Sequence, residues 1–277
     1  MESHTVVGGG GTELRVDTAG PVDAPPVVLI HGYSQSRLSW FRQFESDLVE
    51  DLRLVAPDLR GHGDSGKPEG DERYRDPRLW AADVRAVIEE FAPQDPVVVG
   101  WSYGGLVLAD YLSIEGTEDV SGAAFVGAIT EKGTDAASEV AGPEFAAMLE
   151  NLETRDAEES VDSLLEFLDI CTETPLSARE RHLLLGINAR CPPRVREALQ
   201  ARTGAHEDVI RELDVPALFL HGAADRVVLP AAARRHADLV ADAEVIIYEG
   251  VGHSPFLEVP ERFNRDLRGF TERAFGE

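Results

Sequence analysis

One serine of the 277-residue chain lies where it could act as a nucleophile. Ser102 belongs to the stretch GWSYGG (100–105), which follows the β-branched run PVVV (96–99) and leads into a helical pattern over 104–115. A tight turn between a buried strand and a helix lifts such a hydroxyl out of the sheet, and glycines on both sides avoid backbone clashes. The helix N-terminus also favours negative charge at this point. The pattern therefore predicts nucleophilic attack by Ser102.

A serine hydroxyl is a weak nucleophile until a base removes its proton, and His253 is the base that the sequence favours. This histidine follows the strand-like run AEVIIYEG (243–250) and lies in a loop that contains two glycines. The loop leaves the carboxyl end of its strand, as the turn that carries Ser102 does. We therefore expect His253 and Ser102 at the same edge of the sheet.

The imidazole of such a base needs an acid that fixes its tautomer and stabilises its charged form. Asp225 comes directly after the strand-like run PALFLHG (216–222). The chain order Ser102, Asp225, His253 is the order expected when a strand–turn–helix serine heads the triad. Glu131 is a rival acid because it also follows a strand-like run, but Asp225 is the stronger candidate.

Attack on a carbonyl produces an oxyanion, which requires preorganised hydrogen-bond donors. The backbone N–H of Tyr103, directly after the serine, is one predicted donor. The N–H of Tyr33, in the loop after the run PVVLIHG (26–32), is the other. His31 and His62 lie in loops rich in turn residues, and we interpret both as structural. The sequence therefore places an oxyanion hole between Tyr33 and Tyr103.

The elements that must position these groups follow from hydrophobic patterning. Continuous apolar runs, typical of strands buried on both faces, alternate with helical patterns, which predicts a mostly parallel twisted sheet of about eight strands with helices on both faces. The alternating stretch 12–20 indicates an antiparallel edge hairpin with 5–8. The strand-like runs are 26–32, 52–58, 96–102, 122–128, 216–222 and 243–250, and the helical patterns are 38–50, 78–91, 104–115, 230–241 and 260–274.

A helical region interrupts this alternation between about Gly133 and Leu213, where no strand-like run occurs. Four amphipathic patterns fill it, at 143–153, 157–173, 177–190 and 192–202. We interpret them as a cap, inserted before the strand that carries Asp225. The predicted organisation is an α/β core (1–131), a cap (132–213) and the remainder of the core (214–277). A substrate pocket is expected between the sheet edge and the cap, with Trp101 and Phe256 among its lining residues.

Composition excludes several classes of function. The net charge is −25, from 51 acidic and 26 basic residues, which opposes binding to nucleic acid or anionic membranes. Dispersed acidic charge also suggests adaptation to concentrated salt, where screening relieves self-repulsion. No long apolar span or secretory signal is visible, so we expect a cytoplasmic protein. Cys171 and Cys191 are expected to be free thiols, and no cysteine or histidine cluster predicts a metal.

Five motifs together resemble the α/β-hydrolase superfamily along nearly the whole chain: HGYSQS, DLRGHGDSGKP, GWSYGG, HGAADRVV and GVGHSPFLEVPE. The resemblance is to its branch of capped serine esterases and cofactor-free haloperoxidases. It implies the α/β-hydrolase fold, the triad Ser102, Asp225 and His253, a small-molecule substrate and no cofactor. Epoxide hydrolases and haloalkane dehalogenases carry aspartate at the nucleophile position, so Ser102 argues against both activities.

The resemblance implies cleavage of carboxylic esters or lactones through an acyl-enzyme intermediate. Three alternatives keep the same fold: a perhydrolase in which hydrogen peroxide replaces water, hydrolysis of a carbon–carbon bond in a diketone, and a ligand-binding protein with slow turnover. The two enzymatic alternatives share every residue named above, whereas an intact triad counts against a binding protein without turnover. The sequence therefore predicts the triad but neither the acyl chain nor the oligomeric state.

Overall fold

One eight-stranded sheet contains all of the strand-like runs that the sequence shows. The computed structural model of the protein describes residues 1–276. Its strands are β1 (Glu2–Val7), β2 (Glu13–Ala19), β3 (Pro26–Ile30), β4 (Arg53–Pro57), β5 (Val97–Trp101), β6 (Gly122–Val126), β7 (Glu131–Lys132), β8 (Gly204–Ala205), β9 (Ala217–Gly222) and β10 (Glu244–Tyr248). The sheet order is β1-β2-β4-β3-β5-β6-β9-β10, and β7 pairs separately with β8. Only the β1–β2 and β2–β4 pairs of the large sheet are antiparallel, so the predicted mostly parallel sheet is confirmed.

Helices cover both faces of the sheet, as predicted. The helices are α1 (Phe41–Phe44), α2 (Leu48–Asp51), α3 (Glu72–Arg75), α4 (Pro77–Phe91), α5 (Tyr103–Glu115), α6 (Asp135–Val140), α7 (Pro143–Leu152), α8 (Ala157–Ile170), α9 (Ala178–Ala189), α10 (Pro193–Gln200), α11 (Glu207–Arg211), α12 (Ala231–Ala237), α13 (Pro255–Glu258) and α14 (Pro260–Ala274). Along β5, Val98 packs into the core beneath α4 and α5, whereas Val97 and Val99 pack into the core beneath α14. This two-sided burial explains why the run is continuously apolar.

The predicted helix over 38–50 is wrong as a single element. The chain forms a short 3-10 turn (Arg37–Trp40), then α1 and α2. Ser46 separates the two helices because its hydroxyl donates to the Gln43 carbonyl and accepts the Leu48 N–H. A side chain that bonds to nearby backbone in this way competes with the helical hydrogen bonds.

The region between Gly133 and Leu213 is helical, but the prediction that it lacks strands is wrong in one detail. Gly204–Ala205 pairs with Glu131–Lys132 in a two-residue antiparallel ladder at the base of the region. The four predicted amphipathic helices correspond to α7, α8, α9 and α10. Such a short ladder carries no periodicity that a sequence pattern could show.

A buried ion pair attaches the end of this helical region to the helix that follows Ser102. Arg202 is fully buried and pairs with Asp110 of α5, and its guanidinium also donates to Tyr103 Oη at 3.3 Å. His206 Nε2 lies 3.0 Å from the second oxygen of Asp110. Removing one partner of a buried ion pair leaves the other charge buried and unpaired, which is strongly destabilising. We therefore expect this pair to hold the helical region against α5.

The structure can be compared with the composition on three points: membrane-spanning helices, the two cysteines and metal-ligating clusters. Within residues 1–276, each helix is too short or too polar to cross a membrane. Cys171 and Cys191 are both free and buried, as predicted. No cluster of metal-ligating side chains occurs in the described part of the chain. Adaptation to high salt stays a prediction.

Candidate active site

Ser102 occupies a strained turn between β5 and α5. Its backbone has φ 54° and ψ −119°, a conformation that residues with a side chain rarely adopt. A Cβ on Gly100 would lie 2.6 Å from the Gly104 carbonyl oxygen, and a Cβ on Gly104 would lie 2.5 Å from the Ile30 carbonyl oxygen. Only glycine fits at these two positions. Gly100 and Gly104 therefore allow the tight turn that holds Ser102 in its strained conformation.

His253 and Asp225 form a buried hydrogen-bonded pair. The His253 Nδ1–H donates to Asp225 Oδ2 at 2.7 Å, and the two side chains are 1% and 0% exposed. The other carboxylate oxygen accepts the backbone N–H groups of Val227 and Val228 at 2.8 and 2.9 Å. Burial by itself raises the pKa of Asp225, but the facing His253 and His221 rings hold that pKa well below its ordinary value. The carboxylate is therefore ionised at neutral pH and leaves His253 Nε2 free to act as a base.

His221 is a member of this cluster that the sequence reasoning missed. Its Nε2–H donates to the Val228 carbonyl at 2.8 Å and lies 3.0 Å from Asp225 Oδ2, the oxygen that also pairs with His253. The available signal was a histidine four residues before the predicted acid, at the end of the same strand. His221 and His253 therefore contact the same oxygen of the Asp225 carboxylate.

The strand ends bring His253 close to Ser102. The Ser102 N–H donates to the Val126 carbonyl at 3.0 Å, and a Cβ on the next residue, Gly127, would lie 3.2 Å from His253 Nδ1. Trp101 Nε1 donates to the His253 carbonyl at 2.9 Å, and the two ring centroids are 5.6 Å apart. Within residues 1–276 no hydrogen bond joins Ser102 Oγ to His253, and catalytic hydrogen bonds are often long in unliganded sites.

The loop after β3 lies directly against the serine. A Cβ on Gly32 would be 3.0 Å from Ser102 Cβ, and Ser34 adopts a positive φ of 61° that bends the loop. The Tyr33 and Tyr103 N–H groups donate to no backbone carbonyl in the part of the chain that the structure describes. Both remain available to an oxyanion beside Ser102.

Comparisons with known proteins agree with this arrangement. A sequence model of the alpha/beta hydrolase family matches residues 27–266. The chain belongs to this family. It is 28% identical to a non-heme chloroperoxidase of Streptomyces lividans, over 97% of the chain and 99% of the relative, and 27% identical to a bifunctional esterase/perhydrolase of Acinetobacter calcoaceticus, over 94% and 96%.

Two solved structures superpose on nearly the whole length of this alpha/beta hydrolase. An esterase from Rhodococcus sp. ECU1013 superposes with a TM-score of 0.93 at 36% identity, covering 98% of this chain and 99% of that one. A putative aryl esterase from Burkholderia cenocepacia gives 0.91 at 34% identity and covers both chains completely. The helical region over the sheet is therefore shared with proteins described as esterases.

The two histidines interpreted as structural brace the loops of this alpha/beta hydrolase. His31 Nε2 accepts the Leu59 N–H at 3.0 Å, while its Nδ1–H donates to the Gly32 carbonyl at 2.9 Å. The His62 Nδ1–H donates to the Arg60 carbonyl at 2.9 Å. Burial lowers the pKa of His31 to about 4, and burial together with the neighbouring His31 lowers the pKa of His62 to about 3. Both rings are therefore neutral: His31 joins the two loops through its bond to Leu59, whereas His62 braces its own loop.

Glu131, the rival acid, is engaged elsewhere. It lies in β7, where its carboxylate accepts the Thr134 hydroxyl at 2.8 Å. The ring of His253 instead faces Asp225. The geometry therefore favours Asp225 as the acid of the pair.

Trp101 and Phe256 lie behind the site. They are 2% and 0% exposed, their ring centroids are 4.7 Å apart, and Trp40 packs on Phe256 at 4.3 Å. A cleft of about 190 Å³ is lined by residues of the helical region and of the loops after β6 and β9, and neither aromatic residue lines it. These two rings, predicted to line the pocket, instead form the apolar support on which His253 rests.

Proposed function

We propose that this alpha/beta hydrolase cleaves carboxylic esters with Ser102 as nucleophile, His253 as base and Asp225 as the acid that orients the base. The observation that carries the proposal is the buried His253–Asp225 pair beside a serine held at φ 54°. The esterase names of full-length structural relatives at 36% and 34% identity support ester bonds as the target. A small-molecule ester is therefore the proposed substrate.

The proposed mechanism follows from the positions of these groups. His253 Nε2 takes the Ser102 proton as the hydroxyl oxygen attacks the acyl carbon, and the imidazolium that forms is stabilised by ionised Asp225. The N–H groups of Tyr33 and Tyr103 bind the oxyanion. His253 then protonates the leaving alcohol and later deprotonates the water that hydrolyses the acyl-enzyme. The residues named for these steps need no metal or organic cofactor.

The helical region 132–213 is proposed to act as a cap that encloses the substrate, with 1–131 and 214–277 as the core. Its support is the cleft between this region and the loops that follow β6 and β9, which lies on the catalytic edge of the sheet. A cytoplasmic location remains the prediction from the sequence.

Labelling with a fluorophosphonate, together with hydrolysis of 4-nitrophenyl esters of graded chain length, tests the proposal. Wild type is expected to be labelled and active, whereas Ser102→Ala is expected to lose labelling and at least about 10³-fold in kcat. Ser113→Ala, an exposed serine on α5, is the matched control and should behave as wild type. A wild type that is neither labelled nor active would instead favour a ligand-binding role.

A perhydrolase is the second candidate, because the relatives named above include a chloroperoxidase and a bifunctional esterase/perhydrolase. Hydrogen peroxide would then attack the acyl-enzyme in place of water and release a peracid. Halogenation of a dye in the presence of peroxide, halide and a carboxylic acid tests this. A dye signal lost in Ser102→Ala would support it, and a signal unaffected by that substitution would exclude it.

A further inference from the structure

The cleft of about 190 Å³ borders the candidate catalytic residues without containing them. Ile129 and Val227 are among its lining residues. The Ile129 N–H donates to the Ser102 carbonyl at 3.2 Å, and the Val227 N–H donates to the Asp225 carboxylate at 2.8 Å. A ligand in the cleft can therefore contact two residues that are hydrogen-bonded to Ser102 and Asp225.

An aromatic wall connects the cleft with the proposed oxyanion hole. Phe145 lines the cleft, and its ring centroid is 5.7 Å from that of Phe167. Phe167 in turn packs edge-on against Tyr33, with centroids 6.3 Å apart. An acyl chain whose carbonyl is held at the Tyr33 N–H can follow this wall towards the cleft.

Lys132 places spare hydrogen-bond donors in the cleft. Its ammonium group donates to Gln200 Oε1 at 2.8 Å, and both side chains line the cleft. An ammonium group has three donors, so two remain after this bond is made. Lys132 is one of only two lysines in a chain with a net charge of −25. A ligand oxygen in the cleft could accept a hydrogen bond from one of the two remaining N–H groups of Lys132.

The hydroxyl of Tyr33 is a further donor that lacks a partner. Tyr33 is 4% exposed, and its buried hydroxyl makes no hydrogen bond within residues 1–276. The Gln200 amide N–H faces this hydroxyl oxygen, and the Gln200 amide oxygen is used by Lys132, so the hydroxyl proton has no acceptor. A buried hydroxyl without a partner is costly, so an acceptor supplied by a ligand would be favoured at this point.

We propose that Lys132, Gln200 and the Tyr33 hydroxyl bind a neutral oxygen acceptor, such as a ketone or ether oxygen, near the far end of the ester's acyl chain. The inference rests on the ester hydrolysis proposed above. A neutral acceptor fits better than a carboxylate, because Glu131 lines the same cleft and Glu153 faces the ammonium group. A third carboxylate in the cleft would be repelled by these two.

Two chromogenic esters of equal chain length test this proposal: 4-nitrophenyl pentanoate and 4-nitrophenyl 4-oxopentanoate. Wild type is expected to prefer the oxo ester by about 10-fold in kcat/KM, after subtraction of the spontaneous hydrolysis, because hydrogen bonds to charged groups are among the stronger ones. Lys132→Met and Tyr33→Phe should each lower this preference, and Lys132→Met should leave pentanoate hydrolysis close to that of wild type. Lys132→Arg keeps the charge and donors and should retain the preference.

Lys67→Met is the matched control because it removes the only other lysine, and it should leave the preference unchanged. Thermal unfolding of each variant shows that the fold is intact. An equal preference in wild type and Lys132→Met would overturn the proposal, as would a preference for an acyl chain that ends in a carboxylate. If pentanoate itself is not hydrolysed, the proposed function fails instead, so the two failures are distinguishable.

Discussion

His221 Nε2 lies 3.0 Å from Asp225 Oδ2, the same oxygen that accepts the His253 Nδ1–H. The candidate acid is thus held between two histidines, while backbone N–H groups bind its other oxygen. His253 packs against Trp101, the residue before the serine, and His221 also donates to the Val228 carbonyl. This arrangement leaves the carboxylate a single orientation, which suits an acid that must keep its base in place.

Replacing His221 should lower kcat without changing substrate binding. His221→Leu removes a donor from Asp225, and we expect about a 10-fold fall in kcat with a similar KM, in line with the loss of other orienting partners. His221→Gln retains an amide donor and should restore much of the activity. A His221→Leu enzyme with the wild-type kcat, or a His221→Gln enzyme no more active than His221→Leu, would show that the residue serves only packing.

Two substitutions of a carboxylate by an amide of the same size test whether Asp225 or Glu131 is the acid that orients the base. Asp225→Asn keeps the size of the side chain but offers the base an N–H group, so we expect the wrong tautomer and a fall in kcat of about 10⁴-fold. Glu131→Gln should leave kcat within about 2-fold, since its carboxylate contacts Thr134 rather than a histidine. Steady-state ester hydrolysis measures both, and the opposite ranking would identify Glu131 as the acid.

The turn beneath Ser102 should tolerate no added methyl group. A Cβ on Gly104 would lie 2.5 Å from the Ile30 carbonyl oxygen, so Gly104→Ala should cost about 1–3 kcal/mol in the free energy of unfolding. Gly186 is exposed in α9, and a Cβ added there would meet no neighbouring atom within 4 Å, so Gly186→Ala should stabilise the protein by about 0.5–1 kcal/mol. Urea denaturation compares the two, and equal effects would contradict the account of the turn.

Buried neutral histidines predict a loss of stability in acid. Their folded-state pKa values, about 4 for His31 and about 3 for His62, lie below the ordinary 6.5, so the unfolded chain binds more protons between these values. Their contribution is complete above pH 6.5 and is lost as the pH falls towards 4. At pH 5 each such histidine costs about 2 kcal/mol.

His62→Asn keeps the donor to the Arg60 carbonyl but does not titrate. Between pH 7 and pH 5 its free energy of unfolding should therefore fall by about 2 kcal/mol less than that of wild type. His182→Asn, on an exposed position of α9, is the control and should follow the wild-type curve. Parallel curves for wild type and His62→Asn would mean that the ring is not held neutral by burial.

Short sequence patterns were enough to predict much of the candidate active site. The glycines around Ser102 specify a strained turn because no larger residue fits, and continuous apolar runs specify strands that are buried on both faces. The alternation of strands and helices then sets the carboxyl ends of β5, β6 and β9 side by side. Those rules are enough to predict Ser102, Asp225 and His253 at one edge of the sheet from the amino-acid sequence.

Only the tertiary structure decided which side chains face one another across that edge. Trp101 and Phe256 turn into the core, His221 turns towards Asp225, and Lys132 meets Gln200 across the base of the helical region. Sequence patterns report burial and periodicity within one segment, but these contacts join segments that are distant in the chain. Their geometry depends on how the helices pack over the sheet, so it emerges only when the whole core is assembled.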